Sequence, residues 1–187
     1  CISPKQINMM IAAKNNGNGH TIYIQIPRIK QPIPLFILFR ALGILSDQDI
    51  CKYLLLNIEE SQKTNIIYSL KASIMEASSY MSKEECIKYI VNYAMFTPIN
   101  MDKEEGYKMK YNFTINVLEN DLFPHCDTFQ QKLYFLGYMA NKLVQTSLGW
   151  RKPSDRDSYQ NKRLDLAGVL LNNLFRNYFN KLVKDMT

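Results

Sequence analysis

The sequence has no apolar run close to the roughly 20 residues that cross a bilayer, which excludes a membrane-spanning helix from the reading. Its four cysteines stand at 1, 51, 86 and 126, without the short spacings of a zinc site, and only His20 and His125 are available to complete one. They read as free thiols of a reducing compartment. There is no internal repeat, no low-complexity tract and no heptad run long enough for a coiled coil. The opening CISPKQINMMI lacks the basic start and sustained apolar stretch of a secretion signal, and a first residue Cys1 in place of Met predicts a segment of a longer polypeptide.

What remains is the composition of a folded globular chain, 47% hydrophobic and 21% charged over 187 residues. That length allows one substantial core, or one domain with a piece of another. The net charge of +6 is uneven. From Arg151 onward eight basic residues (Arg151, Lys152, Arg156, Lys162, Arg163, Arg176, Lys181, Lys184) face four acidic ones (Asp155, Asp157, Asp165, Asp185). A basic bias at one end suits a polyanion partner, although many surface faces share it.

The first elements are legible from alternation and turn chemistry. Residues 7–13 and 20–26 are short apolar-rich segments around NNGNGH, where Gly and Asn supply positive φ, so a β-hairpin is expected. Pro27, Pro32 and Pro34 bar a continuous helix or central strand until about Leu35. LFILFRALGIL then reads as a compact apolar segment closed by Gly43, and Ser46 with Asp49 as the start of a helix through Ile50, Tyr53, Leu54 and Asn57. SKEE at 82–85 is a capping box, opening a helix that buries Cys86, Ile87, Ile90, Val91 and Ala94.

Residues 97–110 carry a proline, a glycine and clustered charge, and read as an exposed loop. A helix is expected over 111–122, stopping at Pro124. From Phe129 the apolar positions 129, 133, 136, 140 and 143 give one buried stripe on a helix to about Leu148. GWRKPSDRDSYQNKR reads as a linker, and 164–186 as an amphipathic helix with Ala167, Leu170, Leu171, Leu174, Tyr178 and Leu182 facing inward. The fold class is therefore α+β: a mainly helical domain with a small β-hairpin or sheet, and a last helix without an obvious partner.

The chemistry concentrates in DRDSYQNKR, 155–163. Asp155 and Asp157 at i and i+2 are spaced to share a Mg²⁺, as polymerase and nuclease carboxylates do. Arg156 between them and Lys162 and Arg163 after them balance that charge without a metal, which favours ion pairing at a junction or the positioning of nucleic acid. No nucleophile constellation competes: Cys126 beside His125 lacks a productive geometry, and Gly17 and Gly19 lack the helix and lysine of a phosphate loop. A free-standing helical interaction domain with a basic nucleic-acid-binding tail, and a metal-dependent nuclease, both stay open at this point.

Four blocks, in order, resemble a known family: IPRIKQPIPLFILFRALGILSDQDI (26–50), LENDLFPHC (118–126), KLYFLGYMANKLV (132–144) and SDRDSYQNKRLDLAGVLLNNLFRNYFNKLVKDM (154–186). They are similar to the second-largest subunit of multisubunit DNA-directed RNA polymerases, of the eukaryotic and nucleocytoplasmic large DNA virus type. The resemblance covers nearly the whole chain except about 57–115.

By that resemblance, 20–160 would be the lobe, a non-catalytic module beside the downstream DNA cleft and a docking surface for factors. Residues 1–19 and 161–187 would belong to the neighbouring protrusion. The resemblance places Arg151, Lys152, Arg156, Asp157, Lys162 and Arg163 toward DNA, with Asp155 and Asp165 tying the junction. In bacterial relatives the positions matching Asp157 and Lys162 help form a pocket for a non-template-strand base. This sequence departs from the common pattern at Ser158, where histidine is frequent, and at Gln160, where glycine is frequent. The resemblance also implies no catalytic residue, metal or cofactor here, since the Mg²⁺ of such enzymes is held by the largest subunit. Implied partners are the largest and other polymerase subunits, downstream and non-template DNA, and initiation or elongation factors, without a membrane. The implied location is the nucleus if the source is cellular, and the host cytoplasm (viral factory) or virion if it is viral.

Overall fold

The NNGNGH turn closes the expected hairpin. In the computed structural model, which describes residues 5–56, 58–97 and 102–186, β1 (Asn8–Ile11) pairs antiparallel with β2 (Ile22–Gln25), Asn8 opposite Gln25 and Ile11 opposite Ile22. Gly17 and Gly19 take φ of +93° and +126°, and the Asn15 Oδ1 accepts from both their backbone amides at 2.8 and 3.0 Å. β3 (Ile33–Pro34) joins the other side of β2, giving the order β1-β2-β3. Pro34 has no amide to donate and accordingly lies on an edge strand.

The chain divides into two compact units, Cys1–Arg151 and Lys152–Thr187. In the first, α1 (Leu35–Ala41) starts directly after Pro34, and all seven of its residues are buried. It ends as Gly43 foretells: Gly43 has φ +114°, its amide reaches the Arg40 carbonyl, and the Ile44 amide reaches that of Phe39. Those two bonds satisfy carbonyls that the helix end leaves open. Around α1 pack β2 and β3, α2 (Asp47–Leu55), α3 (Glu60–Ala77) and α4 (Lys83–Asn92). α4 carries the capping box of Ser82 and Glu85 and buries Cys86, Ile87, Ile90 and Val91; Ala94 beyond its end is buried too.

Arg40, in the middle of that apolar set, is 1% exposed. Its guanidinium donates to the carbonyls of Ala77 (2.6 Å), the last residue of α3, and of Tyr80 (2.5 Å) beyond it, and to Asp47 Oδ1 (2.5 Å) at the start of α2. One fork thus closes the end of one helix and the beginning of another, the geometry that makes a buried arginine tolerable. Ser46 stands at the N-cap position of α2, but its hydroxyl makes no cap bond. Asn57, the expected last turn of that helix, lies outside the described residues.

Around α5 and α3 the structure departs from the sequence reading. The segment after residue 101 is not a loop: α5 runs Lys103–Asn116, with Glu104 and Glu105 in its first turn, where a helix favours negative charge, and with Gly106 buried. α5 does not continue regularly to 122 either; a π turn spans Val117–Asp121. The sequence does not announce α3, since its buried positions Ile66, Leu70, Ala72, Ser73 and Ala77 include only two large apolar residues.

The π turn has its own ligand. The Lys132 ammonium, 2% exposed, donates to the carbonyls of Leu118 (3.2 Å), Glu119 and Leu122 (2.7 Å), one for each N–H. Burial pushes its pKa down. At the end of the same turn Asp121, also buried, pairs with Lys5 (3.0 Å) and Arg28 (3.3 Å), tying both to it. Lys132 belongs to α6 (Phe129–Ser147), which opens with a second capping box, Thr128 and Gln131. Its buried stripe is Leu133, Leu136, Gly137, Ala140 and Val144; Phe129 is exposed, and Leu143 half-buried, because the stripe follows 3.6 residues per turn past them. The observed class is thus α+β and mainly helical, with one small antiparallel sheet.

The second unit holds a polar segment, one 3₁₀ turn (Tyr159–Asn161) and α7 (Ala167–Met186). Ala167, Leu170, Leu171, Leu174, Tyr178 and Leu182 do share a helix face, but all six are exposed. The inward-facing expectation fails for them because the rest of this unit is a polar, irregular stretch that supplies no core.

Candidate nucleic-acid interface

The polar stretch of the second unit is organised by its own side chains. The Asp155 Oδ1 accepts from the Asp157 backbone amide at 2.9 Å, a local turn typical of aspartate. Asn161 Nδ2 reaches back to the Asp155 carbonyl, and the Ser158 hydroxyl caps the 3₁₀ turn by accepting from the Gln160 amide at 3.4 Å. The turn brings Lys162 Nζ to 3.4 Å from Asp157 Oδ1. Both side chains are well exposed, so the pair contributes less than about 1 kcal/mol. Its effect is positional.

Of the residues singled out in the sequence, Asp155, Asp157, Lys162 and Arg163 are therefore drawn together; Arg163 donates to the Lys162 carbonyl at 3.4 Å. Lys152, Arg156 and Asp165 are exposed and make no hydrogen bond or ion pair among the described residues. Arg151, likewise exposed, is the last residue of the first unit. It follows the close of α6, where Gly149 (φ +75°) and Trp150 return their amides to Thr146 and Gln145. Asp155 and Asp157 each already have a local donor, and among the described residues no group of three or more His, Cys, Asp or Glu is placed to hold a metal. The arrangement can present cations to phosphates; it holds no nucleophile with a base.

Sequence reasoning missed the residues that fix the scaffold: Arg40, Lys132 and Asp121 are all buried. One signal was available for Arg40, a single charge inside LFILFRALG, where no face of the segment is left for solvent.

Residues 5–165 match the family model described as RNA polymerase Rpb2, domain 2. The chain is 34% identical over 189 residues to DNA-directed RNA polymerase II subunit RPB2 of Schizosaccharomyces pombe, covering 99% of this chain and 15% of the relative. The Encephalitozoon cuniculi protein of the same description is 36% identical over 89% of this chain and 14% of its own length. The archaeal DNA-directed RNA polymerase subunit Rpo2 of Saccharolobus solfataricus is 33% identical over the same shares. The chain belongs to the domain 2 family of second-largest RNA polymerase subunits. It spans only 14 to 15% of the length of these relatives.

Proposed function

We propose that the chain is the lobe of a second-largest RNA polymerase subunit and serves DNA-templated transcription without catalysing nucleotide addition itself. Residues 20–160 form the lobe; 1–19 and 161–187 belong to the adjoining protrusion. The lobe lines the downstream DNA cleft and offers a docking face to initiation or elongation factors. Arg151, Lys152, Arg156, Lys162 and Arg163 face DNA, and Asp157 orients Lys162 toward the non-template strand. Asp155 and Asp165 serve the junction. The Mg²⁺ of the reaction is held by the largest subunit, which with the other subunits is the chain's partner. The site of action is the nucleus in a cellular source, and the viral factory or virion in a viral one.

The observation that carries this reading is the exposed DRDSYQNKR segment, in which the Asp157–Lys162 pair fixes one cation while Arg156 is left unpaired among the described residues. The family match, which runs through residue 165, includes that segment. The test uses the assembled polymerase carrying Lys162→Ala and Arg163→Ala. Open complexes should dissociate faster, and the salt slope of their stability should fall by about one for each phosphate contact removed. Nucleotide addition on a preformed scaffold should be nearly unchanged. Equal loss of both activities would overturn the division of labour, and an effect insensitive to salt would mark a structural ion pair instead.

A further inference from the structure

We infer that the cavity between the NNGNGH turn, α3 and α6 is a docking site for an extended acidic and apolar protein segment. It deepens the factor-docking part of the proposed function, and rests on it, by giving that part a place and a partner chemistry.

The cavity measures about 410 Å³, a size that takes one or two side chains. Its floor is apolar, with Ile11, Ile22 and Val144. Its rim is not. Asn15, Asn18, His20, Lys71 and Ser147 contribute polar groups, and among the described residues no carboxylate lines it. The Asn15 carbonyl oxygen is occupied by the Gly17 and Gly19 amides, which leaves the donating half of that side chain. Since a carbonyl can only accept, His20 Nδ1 at 2.7 Å from the Ala12 oxygen carries the proton, fixing the ring's orientation. Lys71 is exposed and makes no hydrogen bond or ion pair among the described residues. The Asn15 amide and the Lys71 ammonium are thus the unspent donors of this rim, the second a full positive charge, a setting complementary to a carboxylate.

The same helix carries a second depression next to the first. Ile67, Ile74 and Met75, with Tyr68 and Lys71, line an apolar groove of about 290 Å³ on α3. Tyr68 and Lys71 line both, so they form a ridge between a donor-rich cavity and an apolar groove. Tyr68 is 77% exposed and Met75 51%, positions where large apolar groups gain nothing from the fold itself. A segment alternating acidic and large apolar side chains would place a carboxylate at Lys71 and an apolar side chain beyond Tyr68. A basic segment would meet Lys71 with like charge.

The experiment measures fluorescence anisotropy of a labelled peptide of repeated Asp-Leu-Asp-Phe against the full 187-residue chain, with a Lys-Leu-Lys-Phe peptide as control. The acidic peptide should bind and the basic one should not. Lys71→Glu, an exposed change, should weaken binding about fivefold or more, because reversal replaces attraction with repulsion at a rim-exposed pair. Lys184→Glu on α7 should leave it unchanged. Amide shifts at Gly17, Gly19 and His20 should accompany binding. Equal binding of both peptides, equal loss in the two variants, or no binding by a chain whose circular dichroism shows it folded would each overturn the inference. The DNA-facing residues are untouched by Lys71→Glu, so failure here is separable from failure of the open-complex test.

Discussion

Gly137 of α6 passes so close to Tyr53 of α2 that a Cβ at Gly137 would lie 2.3 Å from the Tyr53 carbonyl oxygen. Four residues on, Asn141 donates its side-chain amide to the Leu54 carbonyl at 2.7 Å, closing the end of α2. The two contacts lock α2 to α6. Gly137→Ala must push the helices apart, since the obstacle is backbone and cannot rotate away. The cost should be about 2 kcal/mol or more, the range of overpacked cores. Urea unfolding of the variant checks it; an unchanged midpoint would show that the helices separate at no cost.

Lys132→Met should destabilise the chain by about 1 to 3 kcal/mol, because it leaves three carbonyls in and just after the π turn, two of them in buried bonds, without their donor. Methionine fills similar space, so the loss reports the hydrogen bonds rather than a cavity. Hydrogen exchange should accelerate around 117–122 before other regions. Uniform acceleration along the whole first unit would count against a local role.

A defined alkaline limit follows from Tyr23. Its hydroxyl donates to Glu76 Oε1 at 2.7 Å, and burial first, then that bond and the carboxylate's charge, push its pKa up to about 12 from an ordinary 10.0. The folded state therefore keeps the proton that the unfolded chain releases near pH 10. The stability from this group is whole below that pH and is lost as pH rises through about 12. Tyr23→Phe should flatten that part of the stability curve. A slope identical in the two proteins would place the alkaline sensitivity elsewhere, Tyr89 being the next group, also raised to about 12.

The thiols should react in a fixed order. Cys86 is wholly buried, its Sγ 3.6 Å from the Tyr80 carbonyl, and burial pushes its pKa to about 11. Cys51 and Cys126 are partly accessible, with smaller upward shifts from the same cause. With iodoacetamide at pH 8, Cys86 should be modified last, at the rate of unfolding, while Cys51 and Cys126 react in the native chain. Early modification of Cys86 would mean that α4 opens locally.

Where local chemistry suffices, the sequence was legible. The Ser82–Glu85 box, the stop at Gly43 and the hairpin around NNGNGH each depend on residues within a few positions of one another, and each is found. The first half of α5, up to 110, reads as a loop because Pro98, Gly106 and the clustered charge look like breakers, yet Gly106 is buried in the helix. α3 was passed over because Ser73 and Ala77, both buried, carry no apolar signal. In the candidate interface the charges were evident from the order DRDSYQNKR, but not that Asp157 would turn to Lys162 and Asp155 to a backbone amide.

Legible from the residues alone were the class of fold, the hairpin, the end of α1, the starts of α2, α4 and α6 and, through the resemblance of ordered blocks, the family. The fold class, the hairpin and the helix ends follow from backbone preferences and periodicity, which act over a few residues; the family rests on the resemblance of whole blocks. The fates of Arg40, Lys132 and Gly137 were set by packing. Their partners are Ala77 and Tyr80, the Leu118–Leu122 carbonyls, and Tyr53. Whether a cation is buried, or a glycine indispensable, depends on which carbonyls arrive beside it from elsewhere in the chain, and no local pattern encodes that.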